Sequence, residues 1–188
     1  MNFTYDIIEA GWARAEFKTD SKVLSYEPNY INDPYGDLLR SMCGFLREEK
    51  GQDAPNHSEI KLNLMPLLVS VRLEYLGSEL RITITEYDET ERVVKKSTVF
   101  DETVDTCVFV EDLIECGREM LAKYGMAGYR ANSINFEFPF SSFIALIRLS
   151  GGPAMQNACA EKPVPASGRI YDELGILGSI LKKTSVEV

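Results

Sequence analysis

Apolar and polar residues alternate along the start of the chain. Phe3, Tyr5 and Ile7 are separated by Thr4 and Asp6, and a looser alternation runs from Trp12 to Lys18. Two strands are therefore expected, joined by a turn at Ala10-Gly11, with a third over Val23 to Tyr26. The period then changes. Leu38, Leu39, Met42, Phe45 and Leu46 recur at i, i+3, i+4 spacing, which predicts a helix. Asn32 or Asp33 is expected to cap it, with Pro34 in the first turn, Asp37 at the positive end of the dipole and Gly51 at the close.

Period-two patterning returns at Ile60-Leu62-Leu64, Val69-Val71-Leu73-Tyr75 and Leu80-Ile82-Ile84, with Gly77-Ser78 turning the last two into a hairpin. A turn at Asp88 to Glu91 should lead into a strand ending at Phe100. A second helix is expected from Asp105 or Thr106 to Tyr124, buried through Phe109, Leu113, Gly117, Met120 and Leu121, with Gly125 as its C′ residue. Asn135 to Phe138 reads as a short strand, and Pro139 opens an apolar helix from Phe140 to Leu149. From Gly151 to Gly168 there are three prolines, three glycines and no aromatic residue, the composition of a linker or functional loop. Beyond it, Ile170, Leu174, Leu177 and Leu181 mark an amphipathic tail helix. This order predicts an α+β fold: an antiparallel β-sheet with helices packed on one face over residues 1–150, a linker over 151–168, and a C-terminal tail helix over 169–188.

Composition adds limits. With 188 residues, 45% of them hydrophobic, the chain can build a substantial core. Its longest apolar stretch, Phe138 to Leu149, is broken by Pro139, Ser141, Ser142 and Arg148 and falls short of the ~20 residues needed to span a bilayer. The N-terminal residues show no secretory pattern, so a cytoplasmic location is expected. Cys43, Cys107, Cys116 and Cys159 are scattered without a C-x-x-C, and reduced thiols are expected of all four.

Charge supplies the most specific signal. Of the formal −9, a net −6 lies between Glu86 and Asp112, where nine carboxylates meet three bases. Such a field repels nucleic acid and anionic membrane and attracts basic proteins or cations. The same acids also suit a solvated hairpin edge and a helix N-terminus.

Catalytic patterns are missing. His57, the sole histidine, sits in a polar loop, and Cys43 lies among apolar helical positions, which raise a thiol's pKa. There is no G-x-S-x-G and no calcium-loop pattern; Gly125-Met126-Ala127-Gly128 follows a helix, whereas phosphate cradles precede one. No cofactor or metal is implied. Trp12, Tyr26, Tyr30 and Tyr35 read first as core and sheet packing, and as interface anchors if exposed.

The run Ala10-Gly11-Trp12-Ala13-Arg14-Ala15, followed by Asp33 and Gly36-Asp37-Leu38-Leu39-Arg40, resembles a group of small uncharacterised bacterial proteins. These share a G-W-A strand, a D-x-x-x-D-L-L-R helix start and a later E-x-G-Y-R segment. The last appears here as Gly125-Met126-Ala127-Gly128-Tyr129-Arg130, without the acid. The resemblance spans Ile7 to Leu149 and implies no activity. In composition alone the chain is similar to immunity proteins, which neutralise basic bacterial toxins.

The expected function is that of a non-enzymatic binding protein, immunity-type or regulatory, presenting Glu86, Asp88, Glu89, Asp101, Glu102 and Asp105 to a basic protein partner. The alternative is a small-molecule-binding or enzymatic domain with a site in the sheet–helix cleft, built from Glu86, Asp88, Arg130, Tyr129 and Cys43. The tail helix is expected to dock either in cis or on a second copy, forming a homodimer.

Overall fold

In the opening segment, side chains on one side of each strand are buried and those on the other are exposed, as a two-residue period requires. The computed structural model describes residues 1–20, 22–47, 56–64, 67–88, 95–134 and 136–151, together with Gly175 and Gly178. Strands β1 (Asn2–Glu9), β2 (Trp12–Lys18) and β3 (Val23–Tyr26) form one antiparallel sheet in that order. Phe3, Tyr5, Ile7, Ala13, Ala15, Phe17 and Tyr26 turn inward. Helix α1 (Pro34–Leu46) follows, with Asp33 as its N-cap accepting from the Gly36 N–H at 3.0 Å.

A second antiparallel sheet is a meander of β4 (His57–Asn63), β5 (Leu67–Tyr75), β6 (Glu79–Asp88) and β7 (Lys95–Asp105). Val69, Val71, Leu73, Leu80, Ile82 and Ile84 supply its buried side. Its outer side carries a ladder of opposite charges, because the register sets Glu59 beside Arg72 and Glu74 beside Arg81. Helices α2 (Thr106–Ser133) and α3 (Phe140–Ser150) complete the described structure. The fold is α+β, with two sheets where one was expected.

Aromatic rings join the layers. Phe3 contacts Phe17 and Phe109, Tyr5 stacks on Tyr35 at 5.4 Å, and Phe45 stacks on Tyr75 at 5.6 Å. Helix α1 therefore touches both sheets, and buried residues from β1 through α3 form one contiguous cluster. Each fully buried Phe or Leu contributes about 1.5–3 kcal/mol.

Several expectations are corrected. Helix α1 ends at Leu46, with Arg47 extended, so the expected stop at Gly51 falls outside the described residues. Helix α2 does not end at Tyr124. Gly125 takes the left-handed φ (+60°) of a helix stop, and the chain then re-enters helix as far as Ser133, leaving a kink. Residues 136–139 have no regular structure; Phe138 is instead buried edge-on against Tyr129 and Phe143. Cys107 is disulfide-bonded, whereas Cys43 and Cys116 are free and buried. Pairing depends on distance in space, which scattered positions along a chain do not disclose. Apart from Gly151, Gly175 and Gly178, the expected linker and tail helix lie outside the described residues. Among the described residues, no helix is long and apolar enough to cross a membrane.

Candidate functional site

The acidic residues of the sequence reading do not gather on one face. Asp101 projects outward from β7, where Arg81 donates from Nε and Nη2 to its two oxygens, both at 2.8 Å. These hydrogen bonds hold the Asp101 carboxyl below its ordinary range. Glu102 is exposed and leaves the strand on the opposite side, as successive residues must. Glu86 accepts a hydrogen bond from the Tyr26 hydroxyl at 2.9 Å, tying β6 to β3. Asp105 caps α2, accepting from the N–H groups of Cys107 at 2.7 Å and Val108 at 3.1 Å. Asp88 stands opposite Lys95 at the end of the β6–β7 ladder, and Glu89 lies outside the described residues. Three of the six acids thus already serve the fold, as an ion pair, a strand tie and a helix cap.

The alternative set does not converge either. Arg130 is exposed and pairs with Glu137. Cys43 lies in a groove between α1 and α3, edged by Arg40, Arg47, Ser141 and Ser142, and its thiol donates to the Ser142 carbonyl at 3.3 Å. Burial pushes the Cys43 thiol up to about 11 and the Cys116 thiol up to about 12, so neither supplies a thiolate near neutral pH. Tyr129 belongs to a different place.

That place is a small pocket, partly open to solvent, where three separate segments meet. The β1–β2 hairpin contributes Tyr5, Ile7, Gly11, Trp12 and Ala13; the approach to α1 contributes Pro28, Asn29, Tyr30, Asn32 and Asp33; the end of α2 and the turn after it contribute Tyr129, Ser133 and Phe136. Local chemistry fixes each segment. Gly11 has φ +81°, and its N–H donates to the Asn132 carbonyl at 2.6 Å, pinning the hairpin turn to the end of α2. A Cβ at Gly11 would lie 2.6 Å from Ile134 Cδ1, so both the backbone angle and the space require glycine. Ile134 itself has φ +64°, a strained conformation for a β-branched residue. Asn29 accepts from the Ile31 N–H at 3.1 Å and shapes the turn before the helix, while Ala13 N–H donates to the Pro28 carbonyl at 3.0 Å. Asn32 donates from Nδ2 to the Lys61 carbonyl.

A few polar groups of this pocket make no hydrogen bond to a described residue. Tyr5 and Tyr129 are 6% and 2% exposed. Neither hydroxyl has a hydrogen-bond partner among the described residues. The Asn32 Oδ1 is buried and likewise unpartnered. Burial raises the phenol pKa of Tyr5, with Tyr129 and Asp33 adding to it; burial does the same at Tyr129, with Asp33 adding. Asp33 is raised by its own burial, opposed by the Gly36 N–H and by Arg40, whose Nη2 is 3.6 Å from Oδ2. Two protonated phenols thus sit beside a desolvated carboxylate, the combination of shifted pKa values and concavity that marks binding and catalytic sites.

Sequence reasoning singled out these residues for other reasons. Gly11, Trp12, Ala13, Asp33 and Tyr129 carry the resemblance quoted above, Asp33 reads as a cap and Trp12 as packing. Their convergence on one pocket was not legible, because the α2 segment lies 96 or more positions beyond the other two. Comparison with family models, curated proteins and solved structures finds no match to this chain.

Proposed function

We propose that this chain is a non-enzymatic binding protein whose recognition site is the pocket between the β1–β2 turn, the start of α1 and the end of α2. One observation carries the reading: the Asn32 Oδ1 is buried at the pocket without a partner, beside Tyr5 and Tyr129, whose hydroxyls make no hydrogen bond to a described residue. A buried polar group without a hydrogen bond costs stability, about 1–3 kcal/mol by mutational measure, and such groups are otherwise rare in folded chains. A ligand that donates to the Asn32 Oδ1 offsets that cost, and the two phenols offer it further hydrogen bonds. The binding role expected from the sequence is kept, and its site moves from the acidic stretch to the pocket.

Trp12 is the only tryptophan and lines this pocket, so its emission reports occupancy directly. A library of small polar molecules, read by Trp12 fluorescence and by thermal melting, tests the reading. Binders should shift the emission, and at a hundred times Kd they should stabilise the fold by about 2.7 kcal/mol, a rise in Tm of about 5–10 °C. Tyr129→Phe and Tyr5→Phe should abolish both responses while leaving the circular dichroism spectrum intact. If binders shift the wild-type and both variants equally, or if none shifts the wild-type, the pocket is not a recognition site.

A further inference from the structure

We propose that the pocket takes an organic cation, an ammonium or guanidinium group; the inference rests on the pocket being the recognition site. Among the described residues, Asp33 is the one charged residue in the wall, which contains no Lys, Arg or His. Asp33 is shared with the Gly36 N–H and Arg40; the wall also holds the unpartnered Asn32 Oδ1, which can only accept, and the phenol oxygens of Tyr5 and Tyr129, which can accept as well as donate. Aromatic side chains of Trp12, Tyr5, Tyr30 and Tyr129 make up much of the remaining surface, and the faces of such rings are electronegative.

Each class of ligand can be judged against that wall. An anion would meet the Asp33 carboxylate, which Arg40 balances only from 3.6 Å, and an unpaired amide oxygen. A purely apolar group would leave the Asn32 Oδ1 and both hydroxyls unpaired, at the cost such groups carry when buried. A cation supplies N–H donors to those oxygens, a counter-charge to Asp33 and attraction to the ring faces. The pocket is small and partly open, which suits a single ammonium or guanidinium group rather than a nucleotide. A free amine and a Lys or Arg side chain of a partner protein share this chemistry.

The full-length protein is titrated, by Trp12 emission, with n-propylammonium, methylguanidinium, n-propanol and acetate, and with a short peptide rich in Lys and Arg. The titrations are repeated on Asp33→Asn, which keeps a side-chain oxygen for the Gly36 N–H and so preserves the helix cap. The cations should bind, n-propanol and acetate at least about tenfold more weakly, and Asp33→Asn should weaken the cations by at least about tenfold, the factor for one charge-assisted hydrogen bond. Tyr129→Phe should weaken the same cations while retaining the wild-type circular dichroism spectrum. A peptide more than tenfold tighter than n-propylammonium assigns the cation to a protein partner; an equal or weaker peptide assigns it to a free amine, and both support the inference. It is overturned if n-propanol or acetate binds as tightly as its cationic counterpart, or if Asp33→Asn leaves cation affinity unchanged; binding of neutral molecules would then leave the pocket reading standing. If no cation or neutral molecule shifts Trp12, both readings fall.

Discussion

Removing one oxygen from Tyr129 and one from Tyr35 should move stability in opposite directions. Both side chains are buried, at 2% and 0% exposure, and both belong to the same ring cluster through Phe138. They differ in what the hydroxyl meets. The Tyr35 hydroxyl donates to the Leu113 carbonyl at 2.8 Å, locking α1 to α2. Tyr35→Phe loses that bond, for a net cost of about 0.5–1.5 kcal/mol. The Tyr129 hydroxyl has no partner among the described residues and adjoins the pocket. Its burial is a penalty rather than a gain, reduced by whatever solvent enters the pocket, so Tyr129→Phe should be neutral or stabilising by up to about 1 kcal/mol. The two variants should therefore differ by about 1–2 kcal/mol, or about 3–6 °C in Tm for a chain of this size. Urea unfolding followed by far-ultraviolet circular dichroism measures the difference, provided the m-values agree. Should Tyr129→Phe lose as much as Tyr35→Phe, the phenol has a partner inside the fold and the argument for a ligand loses its basis.

Other expectations follow from the same contacts. Burial raises the pKa of Asp33 above its unfolded value, so its contribution to stability is fully present below the unfolded pKa and is lost as pH rises through the folded one. Asp33→Asn should thus be at least as stable as wild-type at pH 7, with the gap closing as acid protonates Asp33; a variant clearly weaker at pH 7 and no better at any pH contradicts this. Asp105→Ala should cost about 1–2 kcal/mol through loss of the double N-cap bond, and Asp105→Asn much less; equal losses would mean the charge matters more than the cap. A Cβ at Gly117 would lie 2.4 Å from both the Tyr35 hydroxyl and Phe143 Cε2, so Gly117→Ala should cost about 1–3 kcal/mol, whereas a melting temperature equal to wild-type would show that the α1–α2–α3 junction yields easily.

Local patterns told more about the fold than about the site. Strict alternation in Val69 to Tyr75 and Leu80 to Ile84 survives as buried rows because one sheet face is sealed, and the Asp33-Pro34 cap survives because it is settled within one turn. Gly125 misled the reading of α2: a left-handed glycine is a genuine stop signal, yet the Tyr129 and Phe138 rings hold the continuing turn against the core. Division into two sheets is a tertiary outcome, invisible to any window of residues. The charge count likewise left out pairing across strands. Counting Asp101 as a free acid ignores Arg81, twenty positions earlier, which the β6–β7 register places near it. The pocket was unreadable because each of its residues has an adequate local explanation as strand, cap or core, and long-range bonds such as Gly11 to Asn132 and Tyr124 to Ile7 bring them together.

The most direct test of the pocket is an amide and indole nuclear magnetic resonance spectrum recorded as n-propylammonium is added. The account predicts that the Trp12 indole signal and the Gly11 and Asn132 amides move first and furthest, and that Tyr129→Phe leaves them still. Shifts centred on Asp101, Glu102 and the rest of β7, with the Trp12 indole unmoved, would contradict it and return the binding surface to the acidic strand.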